Sequence, residues 1–266
     1  MQPARLTLTI GLLYRDGRTV SVMRQPTRDS DVPPNANRFS NGPSDPYAPE
    51  VGSLPTSDIS EEDLENVTKT GTTTIGLTTP EGVVMATDMR ASLGGRFVSN
   101  KDVQKVEQIH PRAALTMAGS VGGAQSFIRS IRAEANLYEA RRGEEMSMQA
   151  LSTLAGNFLR GGPFFLVNPI LGGVDDEGSH VYNVDPAGGV MEDAYTVTGS
   201  GMQLAYGTLE QEYADDLTLE EARTVAAQGI VSAVERDTGS GNGIFLAEIT
   251  EDGVEIEGHK DFDEVL

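Results

Sequence analysis

Short segments in which apolar and polar residues alternate begin at Thr72 and recur along the rest of the chain. The first two flank Pro80-Glu81-Gly82, whose proline and glycine suit a tight turn. Alternation with a period of two is typical of strands with one buried face. The pattern therefore predicts two successive β-hairpins, formed by residues 73–79 with 83–88 and by residues 106–109 with 113–117.

Three further tracts have the spacing of amphipathic helices. From Ala124 to Tyr138 apolar residues recur every three or four positions, and Gly143 ends the tract. Residues 146–159 form a second such tract. The third begins at Thr218 in the sequence Thr-Leu-Glu-Glu, which has the spacing of a capping box, and runs to Arg236.

Between the second and third helical tracts the chain returns to strand patterns. We expect strands at 164–173, 179–184 and 193–198, and a closing hairpin about Glu251-Asp252-Gly253. Two sheets between two helical layers bury the apolar face of every element in this order. The predicted fold class is α+β, a four-layer αββα sandwich spanning residues 72–266.

The first 71 residues, which we call the leader, have a different composition. Residues 24–71 are rich in Pro, Asn, Ser, Asp and Glu and contain few large apolar side chains. Such a segment cannot bury enough surface to offset the entropy of ordering it, so we expect it to be largely disordered. Leu64 and Val67 are spaced to form one short helical turn. Residues 1–22 contain three arginines and one aspartate, and we hypothesise that translation begins at Met23 and that they are an upstream extension.

Charge and residue usage exclude several classes of function. The chain has 40 acidic and 20 basic residues, a net charge of −20, which disfavours binding to nucleic acid or to anionic membranes. Its surface, rich in carboxylates and poor in lysine, is similar to that of proteins from salt-loving archaea. There is no cysteine, so disulfides and thiolate sites are excluded, and the three histidines have no zinc-ligand spacing. No apolar run approaches the ~20 residues of a membrane span or forms a signal peptide, so we expect a cytoplasmic protein.

A glycine followed by three threonines joins the leader to the folded segment. Threonine suits strands and glycine suits turns, so Gly71 to Thr74 alone predict only a turn that enters a strand. A threonine at a chain terminus has a further property, since its α-amino group, with a pKa of ~7.7–8.0, can serve as a base for its own hydroxyl.

Seven motifs follow one another in order from this junction. They are Thr-Gly-Thr-Thr-Thr at 70–74, Ala-Thr-Asp-Met-Arg at 86–90, Val-Gln-Lys-Val at 103–106, Ala-Gly-Ser-Val-Gly at 118–122, Leu-Tyr-Glu-Ala-Arg-Arg at 137–142, Thr-Gly-Ser-Gly at 198–201 and Glu-Arg-Asp-Thr-Gly-Ser-Gly at 235–241. Together they resemble the β subunit of the archaeal proteasome, an N-terminal-nucleophile hydrolase, from Gly71 to the C-terminus. The glycine-rich motifs also look like phosphate-binding loops, but they lack the P-loop lysine, so we reject nucleotide binding.

The resemblance implies a threonine endopeptidase that activates itself. Residues 1–71 would be a propeptide removed by autolysis at Gly71-Thr72, which frees the amino group of the nucleophile Thr72. By family position the supporting residues are Lys105, which lowers the pKa of that amine, Asp88, which holds the lysine, Gly119, whose N–H meets the oxyanion, and Ser200, Asp237 and Ser240 around the amine. Lys101 is the alternative catalytic lysine, because the segment from Gly94 to Lys105 carries one residue more than in some relatives. The strand that follows Lys105 favours Lys105.

The resemblance also implies a substrate pocket and partners. The pocket walls would be Ala91, Val103, Met117 and Val121, all uncharged, which favours cleavage after large apolar residues unless Glu107 reaches the pocket. Implied partners are proteasome α subunits and other β subunits in stacked seven-membered rings, an ATP-driven unfoldase and unfolded polypeptides. No metal or other cofactor is implied. The alternatives are a non-catalytic ring subunit and a bacterial two-ring threonine protease, which generally has almost no leader.

Overall fold

The computed structural model describes residues 71–161 and 166–266, together with the backbone of two short strands in the leader. These strands, β1 (Leu13–Arg15) and β2 (Arg18–Val20), pair with each other in antiparallel fashion. The helical turn expected at Leu64 and Val67 and the start expected at Met23 lie outside the described residues.

Two five-stranded antiparallel sheets form the centre of the fold. The first sheet has the order β12-β3-β4-β13-β14 and the second the order β11-β10-β9-β8-β7. The strands of the first sheet are β3 (Thr73–Thr79), β4 (Gly82–Asp88), β12 (Tyr195–Gly199), β13 (Ile244–Thr250) and β14 (Gly253–His259). Those of the second are β7 (Val106–His110), β8 (Ala113–Thr116), β9 (Ile170–Asp175), β10 (Gly178–Val184) and β11 (Val190–Glu192). A separate two-stranded ribbon joins β5 (Ala91–Leu93) to β6 (Phe97–Asn100).

Three apolar clusters show how the layers stack. Helices α1 (Val121–Arg142) and α2 (Met148–Gly161) share one cluster with the second sheet, with Phe127 and Leu115 among its fully buried members. Helices α3 (Met202–Glu212) and α4 (Leu219–Val234) share another with the first sheet, around Ile75 and Ile230. A third lies between the two sheets and includes Met85 and Ile170. The protein is therefore an αββα sandwich, which confirms the fold predicted from the sequence.

The helix ends follow from local chemistry that the sequence displays. Ser120 caps α1 by accepting the N–H of Gly123, and Gly143, at a φ of 72°, ends the helix in the left-handed region that favours glycine. Thr218 and Glu221 form the predicted capping box at the start of α4. Both helices thus begin at side chains suited to that position, and α1 also ends at a residue suited to its backbone conformation.

Three elements were not predicted. Helix α3 buries only Ala205 and Leu209, contains Gly207 and has no side-chain cap, so its helical spacing is weak. Strands β5, β6 and β11 have only three or four residues each, and β6 and β11 are largely exposed, so none of them is long enough to show a clear apolar pattern. The expected strand 164–173 begins later, at Ile170, because residues 166–169 are not in a strand and Leu166 has a φ of 56°.

Strand register brings distant segments together at one end of the first sheet. Because β3 and β4 are antiparallel with Thr74 opposite Thr87, the start of β3 lies beside Asp88 at the end of β4. Gly199, the last residue of β12, pairs with Thr73, and Ile244, the first residue of β13, pairs with Asp88. The loops that follow β12 and precede β13 therefore meet at Thr72.

Candidate active site

The hydroxyl of Thr72 is buried among charged groups. Only 2% of this residue is exposed, and its Oγ1 donates to Asp88 Oδ1 at 2.9 Å. The same oxygen accepts a hydrogen bond from Lys105 Nζ. Thr72 thus has an acceptor for its proton on one side and a cation on the other, the two groups that favour a more nucleophilic oxygen.

Asp88 is a fully buried carboxylate with five hydrogen-bond donors. Its Oδ1 accepts from Thr72 Oγ1, from the N–H of Thr73 at 3.0 Å and from Lys105 Nζ at 2.6 Å. Its Oδ2 accepts from the N–H groups of Arg90 and Gly241, both at 2.9 Å. A buried charge is tolerated when it is paired and its lone pairs are satisfied, so the five donors around Asp88 offset the cost of burying its carboxylate.

Lys105 is also buried, with 5% exposed, and its ammonium has three acceptors. They are Thr72 Oγ1, Asp88 Oδ1 and the carbonyl oxygen of Arg90 at 2.6 Å. Burial lowers the pKa of Lys105 below its ordinary value, and the neighbouring Asp88 carboxylate opposes this shift. Lys101 is exposed and makes none of these contacts, so the geometry favours Lys105 over the alternative lysine.

A second group of polar residues surrounds the backbone nitrogen of Thr72. That N–H donates to Ser200 Oγ at 3.0 Å, and Ser200 Oγ donates to Asp237 Oδ2 at 2.6 Å. Ser240 Oγ donates to the same Asp237 oxygen at 2.6 Å and lies 2.7 Å from Thr73 Oγ1. The three residues expected around the terminal amine thus form one hydrogen-bonded group at the nitrogen that cleavage would expose.

Gly119 lies across the cleft from this group, in the corner between β8 and α1. Its φ is 99°, and a Cβ placed there would be 1.7 Å from the carbonyl oxygen of Leu166, so only glycine fits. Gly119 and Val167 pair as an isolated antiparallel bridge, which fixes the corner to the irregular segment before β9.

Gly71 is held in an equally tight place. A Cβ on Gly71 would lie 2.3 Å from the Cα of Gly239 and 3.1 Å from the hydroxyl oxygens of Ser92 and Ser200. The N–H of Gly71 donates to Ser92 Oγ at 3.1 Å. The residue before Thr72 therefore has to be glycine, because the backbone of the loop before β13 packs directly against it.

One cleft of about 330 Å³, partly open to solvent, adjoins Thr72. All four residues expected in the substrate pocket line it. Its walls are Gly71, Thr72, Arg90, Ala91, Val103, Lys105, Met117, Gly119 and Val121. Glu107 is not among them, because its carboxylate faces Arg132 of α1 at 3.5 Å. Apart from Arg90 and Lys105, the side chains that line the cleft are uncharged.

Sequence reasoning did not identify the roles of Arg90, Ser92 and Gly241. Arg90 lines the cleft, accepts from Lys105 through its carbonyl and donates through its guanidinium to Asn242 Oδ1 at 2.9 Å and to the carbonyl of Thr238. These bonds fasten the end of β4 to the loop before β13. Arg90 stands in the motif at 86–90, but its function depends on backbone groups, which residue types do not reveal.

Neither a metal site nor a membrane span is found in the described part of the chain. No three carboxylate, histidine or cysteine side chains there are grouped so that they could hold a metal ion. None of the helices described is both long and apolar enough to cross a bilayer.

Comparison with known proteins identifies the family. A family model described as proteasome subunit matches residues 68–249. The chain belongs to the proteasome subunit family. Its relatives within this family include proteasome subunit beta of Natrialba magadii, 72% identical over 244 residues that cover 92% of this chain and 100% of the relative. Proteasome subunit beta 1 of Haloterrigena turkmenica is 70% identical over 92% of this chain and 100% of its own length. Proteasome subunit beta 2 of that organism is 74% identical over 83% of this chain and 93% of its own length.

These relatives place the chain among the β subunits of the proteasome family. They also confirm the resemblance inferred from the seven motifs, including its connection with salt-loving archaea.

Proposed function

We propose that this proteasome β subunit is a catalytic one, a threonine endopeptidase whose nucleophile is Thr72. The observation that carries the proposal is the position of Thr72 Oγ1, bonded to both Lys105 and Asp88 and bordering an apolar cleft. A residue kept only for packing would not need a buried ion pair at its hydroxyl, since such a pair is costly to desolvate.

The first reaction is removal of the leader. Thr72 Oγ attacks the carbonyl carbon of Gly71, the C–N bond to Thr72 breaks, and the hydroxyl proton ends on the released nitrogen. Water then hydrolyses the resulting ester, which leaves a carboxylate on Gly71 and a free amino group on Thr72. While Gly71 is attached that nitrogen is an amide without basicity, so residues 1–71 keep the subunit inactive.

The second reaction is peptide hydrolysis by the freed residue. The α-amino group of Thr72 takes the hydroxyl proton, helped by the nearby Lys105 cation, and Oγ attacks the substrate carbonyl. The N–H of Gly119 donates to the developing oxyanion, an interaction typically worth ~3 kcal/mol. The departing amine takes up the proton, and water then hydrolyses the acyl ester on Thr72. Ser200, Asp237 and Ser240 hold the amino group in place.

The cleft favours large apolar residues at the cleaved bond. Ala91, Val103, Met117 and Val121 are uncharged, and methionine adapts to differently shaped side chains. A Leu, Phe or Tyr gains about 1.5–3 kcal/mol on burial, whereas an arginine would leave a buried charge without a partner. We therefore expect chymotrypsin-like preference, with peptides ending in Tyr or Leu cleaved much faster than those ending in Arg or Glu.

The proposed setting follows from the family. The subunit would assemble with α subunits and other β subunits into stacked seven-membered rings in the cytoplasm, and would degrade polypeptides unfolded by an ATP-dependent partner. The second candidate is a structural subunit of the same particle without activity. A long leader that stayed attached would favour it, whereas the contacts of Lys105 with Thr72 favour the catalytic role.

Mass spectrometry of the assembled particle tests this proposal. We expect a chain of 195 residues beginning at Thr72, since 71 of the 266 residues precede it. The Thr72→Ala subunit should assemble, keep its leader and hydrolyse no peptide, while Thr72→Ser should still process itself. An intact leader on the assembled wild-type subunit, or cleavage at another bond, would contradict the catalytic role.

A further inference from the structure

Three buried threonine hydroxyls meet behind the nucleophile, between the two sheets. Thr74 lies on β3, Thr198 on β12 and Thr116 on β8 of the opposite sheet, and each is at most 1% exposed. Thr74 Oγ1 is 2.7 Å from Thr198 Oγ1 and 3.3 Å from Thr116 Oγ1. Elsewhere the space between the sheets is filled by an apolar cluster that includes Met85 and Ile170.

Each hydroxyl has one proton to donate, and this fixes the direction of the hydrogen bonds among the three threonines. Thr198 Oγ1 donates its single proton to the carbonyl oxygen of Asn168 at 3.0 Å, so it must accept from Thr74. Thr74 has then used its own proton and accepts from Thr116. Thr116 in turn accepts the N–H of Ile170 at 2.9 Å. The chain of bonds runs from Ile170 through Thr116, Thr74 and Thr198 to Asn168, and every hydroxyl in it donates once and accepts once.

Both ends of this hydroxyl chain lie on the segment that fixes Gly119. The N–H of Asn168 donates to the carbonyl of Ala118 at 3.0 Å, and the N–H of Ser120 donates to the carbonyl of Leu166 at 3.1 Å. Gly119 itself pairs with Val167. Residues 166–170 are therefore bonded on one side to the corner that holds Gly119 and on the other, through the hydroxyls, to β3 two residues after Thr72.

We propose that the Thr74 hydroxyl is a positioning group, which sets the distance between the nucleophile on β3 and the Gly119 N–H across the cleft. The proposal rests on the catalytic role given above to Thr72 and Gly119. A hydroxyl within a directed chain fits this role because a shift of either sheet would break a bond between buried groups, and an unpaired buried polar group is costly. Apolar contacts alone are non-directional and do not fix the position of one sheet along the other.

Two substitutions at Thr74 separate positioning from packing. Thr74→Val keeps the shape and removes the hydroxyl, whereas Thr74→Ser keeps the hydroxyl and removes a methyl group. Thr87→Val is the matched control, since Thr87 lies directly opposite Thr74 on β4, is fully buried, and has a hydroxyl without a hydrogen-bond partner in the described part of the chain. All three are measured in the assembled particle, with active sites counted by a covalent threonine-directed inhibitor.

We expect Thr74→Val to lower kcat per active site about tenfold with KM changed less than twofold, since removal of a whole oxyanion donor costs ~100–1,000-fold and a displaced donor costs less. Thr74→Ser should restore kcat to within about threefold of wild type, and Thr87→Val should leave it unchanged. A purely structural role predicts instead a lower unfolding temperature for Thr74→Val at wild-type kcat, and that result would overturn the proposal.

If the Thr74→Val subunit does not assemble, Thr198→Val tests the positioning role instead. It breaks the same hydroxyl chain one bond further on, so an assembled Thr198→Val particle with wild-type kcat would also overturn the proposal, and a loss of kcat that Thr198→Ser restores would support it. Thr72→Ala is measured in parallel. Peptidase activity in that particle would refute the catalytic role of Thr72 and this inference with it, whereas an inactive Thr72→Ala and an unaffected Thr74→Val would refute this inference alone.

Discussion

Two groups in this molecule each combine carboxylates with a basic side chain, and their surroundings differ. In the first, Asp88 and Lys105 are almost fully buried and meet Thr72 Oγ1 beside the cleft. In the second, at the outer edge of the second sheet, His180 lies between Glu192 at 2.6 Å and Asp175 at 3.1 Å. Asp88 and Asp175 both also accept hydrogen bonds from backbone N–H groups, in the case of Asp175 from Met148 at the start of α2.

The two groups differ in the surroundings of the hydroxyl group that each one contains. Tyr182, 3.4 Å from His180, is the hydroxyl of the second group, and burial together with Glu192 raises its pKa to about 12, so it stays protonated. It borders no cleft described above. Thr72 has a neighbouring cation, a neighbouring carboxylate and open space for a substrate. A charged cluster in this protein is therefore a candidate active site only where it contacts a hydroxyl group that borders a cleft, as it does at Thr72.

Among the changes that test the difference between the two groups, substitution of Lys105 should have the largest effect. Lys105→Ala should abolish leader removal and lower peptidase activity by at least about a thousandfold, because the Thr72 oxygen loses its cation and Asp88 is left buried without its partner. Intact mass and fluorogenic peptide hydrolysis measure both effects. Lys101→Ala is the control and should behave as wild type; the reverse result would show that Lys101 is the catalytic lysine.

Salt concentration should affect the outer surface more than the Thr72 site. Ten of the 40 acidic and seven of the 20 basic residues precede Thr72, so the remaining chain carries 30 acidic and 13 basic residues, a net charge of −17. The Debye length grows from ~3 Å in 1 M salt to ~30 Å in 0.01 M salt, so repulsion between subunits strengthens on dilution. We expect the particle to dissociate and lose activity in dilute buffer. Sedimentation that finds an intact, active particle there would disprove this.

A new carboxylate in the cleft should change the substrate preference. Val121 lines the cleft, is 39% exposed and is the first residue of α1, where an acidic side chain suits the helix dipole. Val121→Glu should therefore fold normally and raise the rate after Arg relative to Tyr about tenfold. Val121→Gln, of equal size without the charge, should not. An unchanged ratio in Val121→Glu would mean that residue 121 does not contact the substrate side chain.

The smallest expected effect is at the outer cluster. Burial alone would raise the pKa of Asp175, but the N–H groups of Met148 and Glu177 and the ring of His180 outweigh it and lower the pKa. A carboxyl group whose pKa is lowered by folding stabilises the protein above its unfolded pKa of ~3.9, and this contribution is lost as the pH falls through the folded value.

Asp175→Asn should therefore lower the unfolding temperature at neutral pH by about 2–4 °C, equivalent to ~1 kcal/mol, and leave kcat unchanged. The difference from wild type should shrink below about pH 4, where the wild-type carboxyl group also becomes protonated. Thermal unfolding followed by circular dichroism measures it. A large loss of peptidase activity in Asp175→Asn would show that the outer cluster takes part in catalysis and would remove the distinction between the two groups.

Strand and helix assignments show which parts of the fold can be read from residue types. The hairpin through Thr73–Thr79 and Gly82–Asp88 and the capping box at Thr218 are local signals, and the structure has both. Helix α3 was missed because its burial comes from packing on β12 and α4 rather than from a strong apolar stripe of its own. The strands of the ribbon β5–β6 have only three and four residues, too few to show an alternating pattern.

By itself the sequence determined the nucleophile, the lysine, the aspartate and the four apolar cleft residues as candidates, because their motifs stand in order along the chain. Tertiary structure alone decided what surrounds them. Lys105 instead of Lys101 contacts Thr72, Glu107 turns to Arg132 and away from the cleft, and Gly241 and Arg90 donate backbone N–H groups to Asp88. The physical reason is that a hydrogen bond depends on the distance and direction between its two groups. These groups are as many as 153 positions apart in the chain, and the register of the paired strands brings them together.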